Sequence, residues 1–584
     1  PPEGDYNSRA AADGLLKGLK QYPERELNTA MLVYGSADGG GGPTEVHHEL
    51  LEREHNLHGL PGVEYESASS FFLRLEKRPI QHTHVGELYL ETHQGTYTAQ
   101  AKLKKYNRLI ERKLHNAEAL AAIAGEDGAH DLDGHVLDQP VLDGYWRDVL
   151  LNQFHDILPG SSIERVNREA LETYRRIDAS LDAYVGRLVE RMPSARDTAD
   201  ASSAQPGSAL NLTGFARREH IKVDGHWYLA DVAAYAAAPL KPAERIHTLT
   251  FTADSLSNGV LTLRFGDSGE IVSCLDAAGN EHVAGGLNRI VLHRDPFQFP
   301  FDAWDIKQDY FQKAPRTLTM SQVETSLDGP TLVRRQRYSS RGVTIEQLVI
   351  LEAGSAVVRF DTHVEWHESH RMLRAEFYPT HYGDTAQCEI QFGHIARPTT
   401  ENGPVETAQF EVCAHKWIAT QDASGGFAVL NDSKYGHRAK SGMISLNLLR
   451  ASTFPDKTAD RGTHDFSYGF CPFPAGDLGT VIREGYRLNN PLLVCGDVVL
   501  PSFAAVDAPG VIIETVKPAE SGDGIVLRLY ESLGRAESAR LRVDFAYSDA
   551  SLTDLMEHPI APADLDRLEF GPFEIVIVLL KPHR

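Results

Sequence analysis

After residue 208 the sequence changes character and does not change back. From 209 to 584, short runs such as GVLTLRFG, TIEQLVILEA, AVVRFDTHVEWH and RLRVDFAYS alternate apolar and polar residues, with Gly, Asp, Asn or Pro between them. Successive side chains of a strand point to opposite faces, so this alternation marks strands with one buried face, and the breakers mark the turns that join them. About 375 residues of this kind exceed one ordinary sandwich and carry no repeat of fixed period. The expected architecture is a large or doubled antiparallel β-sandwich, not a propeller. Residues 196–208, within the stretch PSARDTADASSAQPGS, are small, polar and proline-punctuated, and read as a linker.

Upstream the pattern is different. AQAKLKKYNRLIERKLHNAEALAAIA, from 99, has apolar residues at helical spacing and few β-branched ones. Two further helical segments, 142–158 and 162–191, are separated by Pro159 and Gly160. Residues 93–195 are therefore expected to form a three-helix bundle. Residues 1–92 read as α/β: the apolar run 30–34 (AMLVY) has buried-strand length, a glycine loop follows it, and a helix begins near 45. Strand, loop and helix are the repeating unit of a (β/α) barrel, so this part is expected to be a remnant of a barrel-like domain. The fold class is then α/β, α and β in succession.

The chain carries 58 Lys and Arg against 81 Asp and Glu, a net charge of −23, and no basic run to follow a phosphate backbone, which argues against nucleic acid as a partner. No stretch reaches the eighteen or so apolar residues of a membrane span, and the N-terminal residues show no signal-peptide pattern. The five cysteines are far apart and form no CxxC pair, as expected of a reducing, cytoplasmic setting.

Three segments carry candidate chemistry. The first is Asp38 followed by Gly39 to Gly42, directly after the expected strand. Glycines there permit positive φ and close approach to a ligand, and a carboxylate at the end of a barrel strand is a candidate acid/base; a flexible turn with a solvated Asp fits the same spacing. The second is LLNQFHDIL at 150–158, where Trp146, Leu150, Phe154 and Ile157 fall at helical spacing. His155 in a last helical turn would complement the helix dipole, whereas Asp156 has the wrong sign there, a cost of about 0.3–1 kcal/mol that calls for a metal, a sugar hydroxyl or an Arg partner. Asn152, Gln153, His155 and Asp156 are read as polar groups aimed into a site, and Ser161 with Glu164 as a capping box for the next helix. The third is GELYLETHQGTYT at 86–98, whose aromatic, acidic and hydroxyl side chains, His93 and Tyr97 among them, suit a carbohydrate site as well as ordinary loop duty.

Taken together, ADGGGGPT (37–44), GELYLETHQGTYTAQAK (86–102) and WRDVLLNQFHDILPGSSI (146–163) resemble the α-mannosidases of glycoside hydrolase family 38, in the branch with bacterial, cytosolic and vacuolar enzymes. PFDAWDIKQDY (300–310), VLNDSKYG (429–436) and NLLRASTFPDKTADRGTHDFSYGF (447–470) extend the resemblance into the β-rich part. It implies a retaining glycosidase that releases terminal α-linked mannose, with a divalent metal, zinc or another ion such as cobalt, on the sugar hydroxyls. By that resemblance His155 is a metal ligand, Asp156 binds substrate hydroxyls and Asp38 is the general acid/base; His93 and Tyr97, from the third segment, are further candidate substrate-binding residues. A homo-oligomer acting on α-mannoside oligosaccharides is the expected assembly.

A retaining mechanism also needs a second carboxylate about 5–5.5 Å from the acid. In the family it lies, with an HxD metal pair, well before the glycine loop. Only 37 residues precede Asp38 here, they contain no His, and Glu3, Asp5 and Asp13 sit in no matching motif. The expectation is a C-terminal portion of such an enzyme without its nucleophile, weakly active or inactive alone. His293-Arg294-Asp295, the HxD found downstream, reads as a strand-end triplet. The alternative is a non-catalytic glycan-binding or assembly β-sandwich protein.

Overall fold

Strand Val343–Glu352 alternates buried and half-buried residues without a break, the pattern that VTIEQLVILE predicts. It belongs to a nine-stranded sheet ordered Thr319–Asp328, Thr331–Ser340, Val343–Glu352, Val358–Trp366, Gly462–Phe473, Gly426–Asn431, Trp417–Gln421, Thr385–Ile390 and Gly393–Pro398. A ten-stranded sheet has Met443–Arg450, Arg371–Pro379 and Val283–Arg294 side by side at its centre, and a five-stranded sheet is built on Val511–Pro518, Ile525–Glu531 and Ile575–Pro582. Their strands pair antiparallel, for example Arg371–Pro379 with Met443–Arg450 and Ile525–Glu531 with Ile575–Pro582. Phe377 of the ten-stranded sheet meets Phe470 and Phe427 of the nine-stranded one at ring-centroid distances of 6.2 Å each, so aromatic rings join the two faces.

The computed structural model describes residues 6–36, 40–126, 139–193, 207–244 and 247–582. The chain divides into two units, Pro1–Tyr89 and Leu90–Arg584. Most of the expected linker lies outside the described residues, and its last residue already opens strand Ser208–Asn211.

In the first unit the described helices are α1 (Ala12–Gln21), α2 (Glu45–Glu54) and α3 (Ala68–Leu75). The helix expected near 45 is α2. The expected strand at 30–34 does not form: this run makes only a single parallel bridge, Ser8 with Tyr34. An extended run without neighbouring strands has nothing to satisfy both its edges, and among the described residues of this unit there is no other strand. The glycine loop behaves as expected, with φ of +72°, +111° and +61° at Gly40, Gly41 and Gly42, and the Ser36 amide donates to the Gly42 carbonyl at 2.9 Å to close it.

In the second unit, helices α4 (Ala101–Glu126), α5 (Gln139–Asn152) and α6 (Glu164–Glu190) fall in the three segments with helical spacing. On α6 the buried residues Ala170, Tyr174, Ile177, Leu181, Tyr184 and Leu188 recur every three or four positions. Fully burying a side chain such as Ile177 or Leu181 contributes roughly 1.5–3 kcal/mol. They pack against Ile110, Leu114 and Leu120 of α4, and the same core continues into Val511, Ile513, Leu527 and Leu529 of the five-stranded sheet. The helices and this sheet thus share one core.

The stripe on α5 differs from the expected one. Leu142, Tyr145, Trp146 and Val149 face the core, while Leu150 and Phe154 are exposed. Counting the stripe forward from Trp146 through Leu150 assumed that the helix continued to Leu158; it ends at Asn152.

Candidate functional site

Two short irregular segments of the second unit, 93–100 and 153–161, carry the sequence-predicted residues His93, Tyr97, His155 and Asp156, and α4 separates them in sequence. The first contains a 3-10 turn, Gln94–Tyr97, entered through His93 at φ +69°. The His93 amide donates to Asp305 Oδ1 at 2.7 Å, and the Gly95 amide to the Trp304 carbonyl at 2.7 Å. A Cβ on Gly95 would lie 2.3 Å from Arg450 Nη1 and 2.8 Å from the Trp304 oxygen, so the approach requires glycine. The His93 side chain is left exposed and Tyr97 is half-buried.

Arg450 is fully buried and organises the partner loop. Its Nε donates to Asp295 Oδ2 at 2.7 Å, and its Nη atoms to the carbonyls of Ala303 (2.9 Å), Asp302 (2.6 Å) and Asp305 (2.5 Å). Burial pushes the Asp295 carboxyl up, and Arg450 pulls it down. His293, the other half of the HxD triplet, sits in the last turn-out of strand Val283–Arg294 with Nε2 3.2 Å from Glu376, so the triplet is the strand end that its pattern predicts.

Segment 93–100 runs directly into α4, whose first amides are capped from 360 residues away. Asp460 accepts from Gln100 N at 2.8 Å and Ala101 N at 2.7 Å, a carboxylate on the positive end of the helix. Burial raises the Asp460 carboxyl to about 6, with the Ala101 amide and the Lys104 and Lys434 ammonium groups pulling the other way.

The second segment departs from the expected helix. After Asn152 the amides of Phe154 and Ile157 bond three residues back, to Leu151 (3.1 Å) and Phe154 (2.8 Å), as in tight turns. Pro159 disfavours a helical residue before it. The polar side chain of Gln153 is also turned away from any site: its amide donates to Asn107 Oδ1 (3.1 Å) and Glu111 Oε1 (2.7 Å) on α4. His155 and Asp156 therefore lie in a turn, not in a last helical turn, and the helix-dipole argument for either does not apply. What compensates Asp156 is the Ser161 hydroxyl, which donates to its Oδ1 at 2.7 Å. Ser161 is thereby spent; α6 starts from Ile163 with no side-chain cap, and the expected capping box is absent.

The turn presents a histidine and a carboxylate side by side, His155 Nε2 3.7 Å from Asp156 Oδ2, with side chains 77 % and 44 % exposed. The Phe154 ring lies 4.3 Å from the imidazole. An exposed imidazole beside a hydrogen-bonded carboxylate can offer one nitrogen to a metal and one oxygen to a hydroxyl. Among the described residues, however, no three His, Cys, Asp or Glu side chains group as a metal site, so His155 would supply one donor of an incomplete set. Asp38 lies outside the described residues. A cavity of about 320 Å³ in this unit, lined by Arg108, Glu111, Trp146, Lys416, Tyr486 and Glu514 among others, includes none of the sequence-predicted residues. The residues that sequence reasoning missed are the buried holders Lys104, Arg450 and Asp460; the last two lie in the 447–470 segment, whose length alone marked it.

The five cysteines are thiols and not disulfides, and among the described residues no helix is long and apolar enough to cross a membrane.

The sequence matches the glycosyl hydrolases family 38 N-terminal domain over 1–107, the alpha mannosidase middle domain over 91–192, the family 38 C-terminal domain over 256–458 and the family 38 C-terminal beta sandwich domain over 510–576. Alpha-mannosidase 2C1 of Homo sapiens is 34 % identical over 99 % of this chain and 59 % of its own length. Alpha-mannosidase G of Dictyostelium discoideum is 31 % identical over 92 % and 56 %, and the alpha-mannosidase of Saccharomyces cerevisiae 26 % identical over 95 % and 54 %. The chain thus spans between half and two thirds of the length of these relatives. The crystal structure of an alpha-mannosidase from Enterococcus faecalis superimposes with a TM-score of 0.78 at 14 % identity, over 99 % of this chain and 79 % of that one, a likeness of fold. With all four family domains matched in order along the sequence, the chain belongs to glycosyl hydrolase family 38.

Proposed function

We propose that this chain acts in the hydrolysis of terminal α-linked mannose by a metal-assisted, retaining mechanism. The observation that carries the reading is the pairing of His155 and Asp156 on one anchored turn, 3.7 Å apart and open to solvent, within one of the motifs that resemble the family. His155 supplies one imidazole to a divalent ion, zinc or cobalt, which when bound orients and polarises sugar hydroxyls. Asp156, fixed by Ser161, accepts a hydrogen bond from a substrate hydroxyl. Asp38, on the glycine loop, protonates the leaving oxygen and then takes a proton from water, the two halves of acid/base work in a retaining glycosidase. His93 and Tyr97 flank the sugar. No residue of these 584 is assigned the nucleophile.

The test is zinc titration by calorimetry, together with release of 4-nitrophenol from 4-nitrophenyl α-mannoside, on the wild-type chain and on His155→Ala and Asp38→Asn. Loss of zinc binding in His155→Ala alone, with loss of any turnover in both, supports the reading. Zinc binding by the wild type that persists unchanged in His155→Ala overturns the assignment of His155. Binding of mannosides that needs no zinc and is unchanged in both variants supports the non-catalytic alternative.

A further inference from the structure

The turn that carries His155 and Asp156 has no helix or strand of its own to hold it, so its position must come from neighbours. It is anchored on both sides by one face of α4. Before the pair, Gln153 is bonded to Asn107 and Glu111; the Tyr174 hydroxyl of α6 donates to the same Asn107 Oδ1 at 3.3 Å. After the pair, Lys104 Nζ donates to the carbonyls of Leu158 (2.9 Å) and Pro159 (3.2 Å), and to that of Ala99 (2.5 Å). An ammonium has three donors, and all three are used on backbone oxygens. Lys104, Asn107 and Glu111 stand at i, i+3 and i+7, so they form a single stripe. Lys104 is only 4 % exposed, and the Asp460 carboxylate is the main countercharge acting on it. Gly160 completes the seat: at φ +80°, a Cβ there would lie 2.6 Å from the Ala99 oxygen that Lys104 also holds.

We propose that Lys104 is a positioning residue for the site: it ties the loop that follows His155 and Asp156 to the segment that carries His93 and Tyr97, and thereby sets where the imidazole and carboxylate point. The functional part of this rests on the reading above; the mechanical part does not. Residues that orient a metal ligand typically change metal affinity by about 10–100-fold when removed.

The experiment compares the wild-type chain with Lys104→Met, which keeps the stem and deletes the donors, and Lys104→Arg, which restores charge and donors. Amide hydrogen exchange is followed over 154–161 and, as a control, over 343–366, and zinc binding is measured by calorimetry. Exchange over 154–161 is expected to rise about 10–100-fold in Lys104→Met with the control unchanged, zinc affinity to fall by a similar factor, and both to recover in Lys104→Arg. Should Lys104→Met not fold, Lys104→Gln, with two donors on a shorter neutral stem, is read in the same way. Unchanged exchange over 154–161 overturns the proposal whatever binds. Raised exchange in a chain whose wild type binds no zinc upholds the anchoring by Lys104 and shows that the donors in these 584 residues do not hold zinc by themselves.

Discussion

Arg450→Met deletes the guanidinium on which loop 295–305 is built. Five hydrogen bonds go with it, two to Asp295 and one each to the carbonyls of Asp302, Ala303 and Asp305. Both charged side chains are fully buried, and removing one partner of such a pair costs about 3–5 kcal/mol, mostly because the other is left uncompensated. The orphaned carbonyls would add about 1–3 kcal/mol each if they stayed dry; opening of the loop to water relieves them, so the expected loss is about 3–5 kcal/mol. Asp295, whose carboxyl burial already pushes up, rises further without Arg450. A carboxyl raised in the folded state favours folding while it is protonated and loses that contribution as pH rises through its folded value. The penalty of Arg450→Met is therefore smallest in acid and grows toward neutral pH. Asp295→Asn in the same chain removes the stranded charge and should recover at least about 1.5 kcal/mol at pH 7, a coupling that a double-mutant cycle reads. Urea unfolding followed by near-ultraviolet circular dichroism measures the cycle, and hydrogen exchange at His93 and Gly95, whose amides bond to Asp305 and Trp304, reads the local effect. Additivity of the two substitutions to within about 0.5 kcal/mol, or unchanged exchange at His93 and Gly95, refutes the reasoning.

Gly160→Ala should cost about 2 kcal/mol or more in urea unfolding, since alanine at φ +80° is strained and its Cβ meets the Ala99 carbonyl; a loss under 0.5 kcal/mol would mean that the turn shifts freely. His155→Ala should leave stability within about 0.5 kcal/mol of wild type, because the side chain is exposed, while abolishing zinc binding; a large stability loss would make His155 a packing residue. Burial, with neighbouring cations, holds His415, His437 and His464 at about 3, so all three are neutral in the fold. The unfolded chain binds those protons once pH falls below the ordinary value of 6.5. Their contribution is present above that and is lost as pH falls toward 3, at up to about 1.4 kcal/mol per pH unit per histidine. A urea stability curve flat between pH 6.5 and 4.5 would contradict this.

Much of the fold is legible locally. Alternation in VTIEQLVILE, helical spacing in residues 101–126 and 164–190, and positive φ across Gly40 to Gly42 are consequences of repeat geometry and of glycine's missing Cβ, and each needs only a few neighbouring residues. The run AMLVY was misread for the opposite reason, because a strand exists only when another strand pairs with it. The long motif around 146–163 marked His155 and Asp156 as the place to look, but the same motif was read as continuous helix up to Pro159.

What the tertiary structure decided is where the charges go. Gln153 faces α4, Asp460 caps a helix that begins 359 residues before it, Lys104 gathers three carbonyls, and Arg450 fills the centre of a distant loop. Periodicity carries no information about these pairings, since a buried charge is stabilised by whichever partners the fold brings within about 3 Å, and those partners have no fixed spacing along the chain. The sequence by itself determined that three helical segments precede a long strand-rich region, and it pointed to His155 and Asp156 as candidates; the turn that presents them took its shape from desolvated groups far away in sequence, whose need for hydrogen bonds arises only once the core has closed around them.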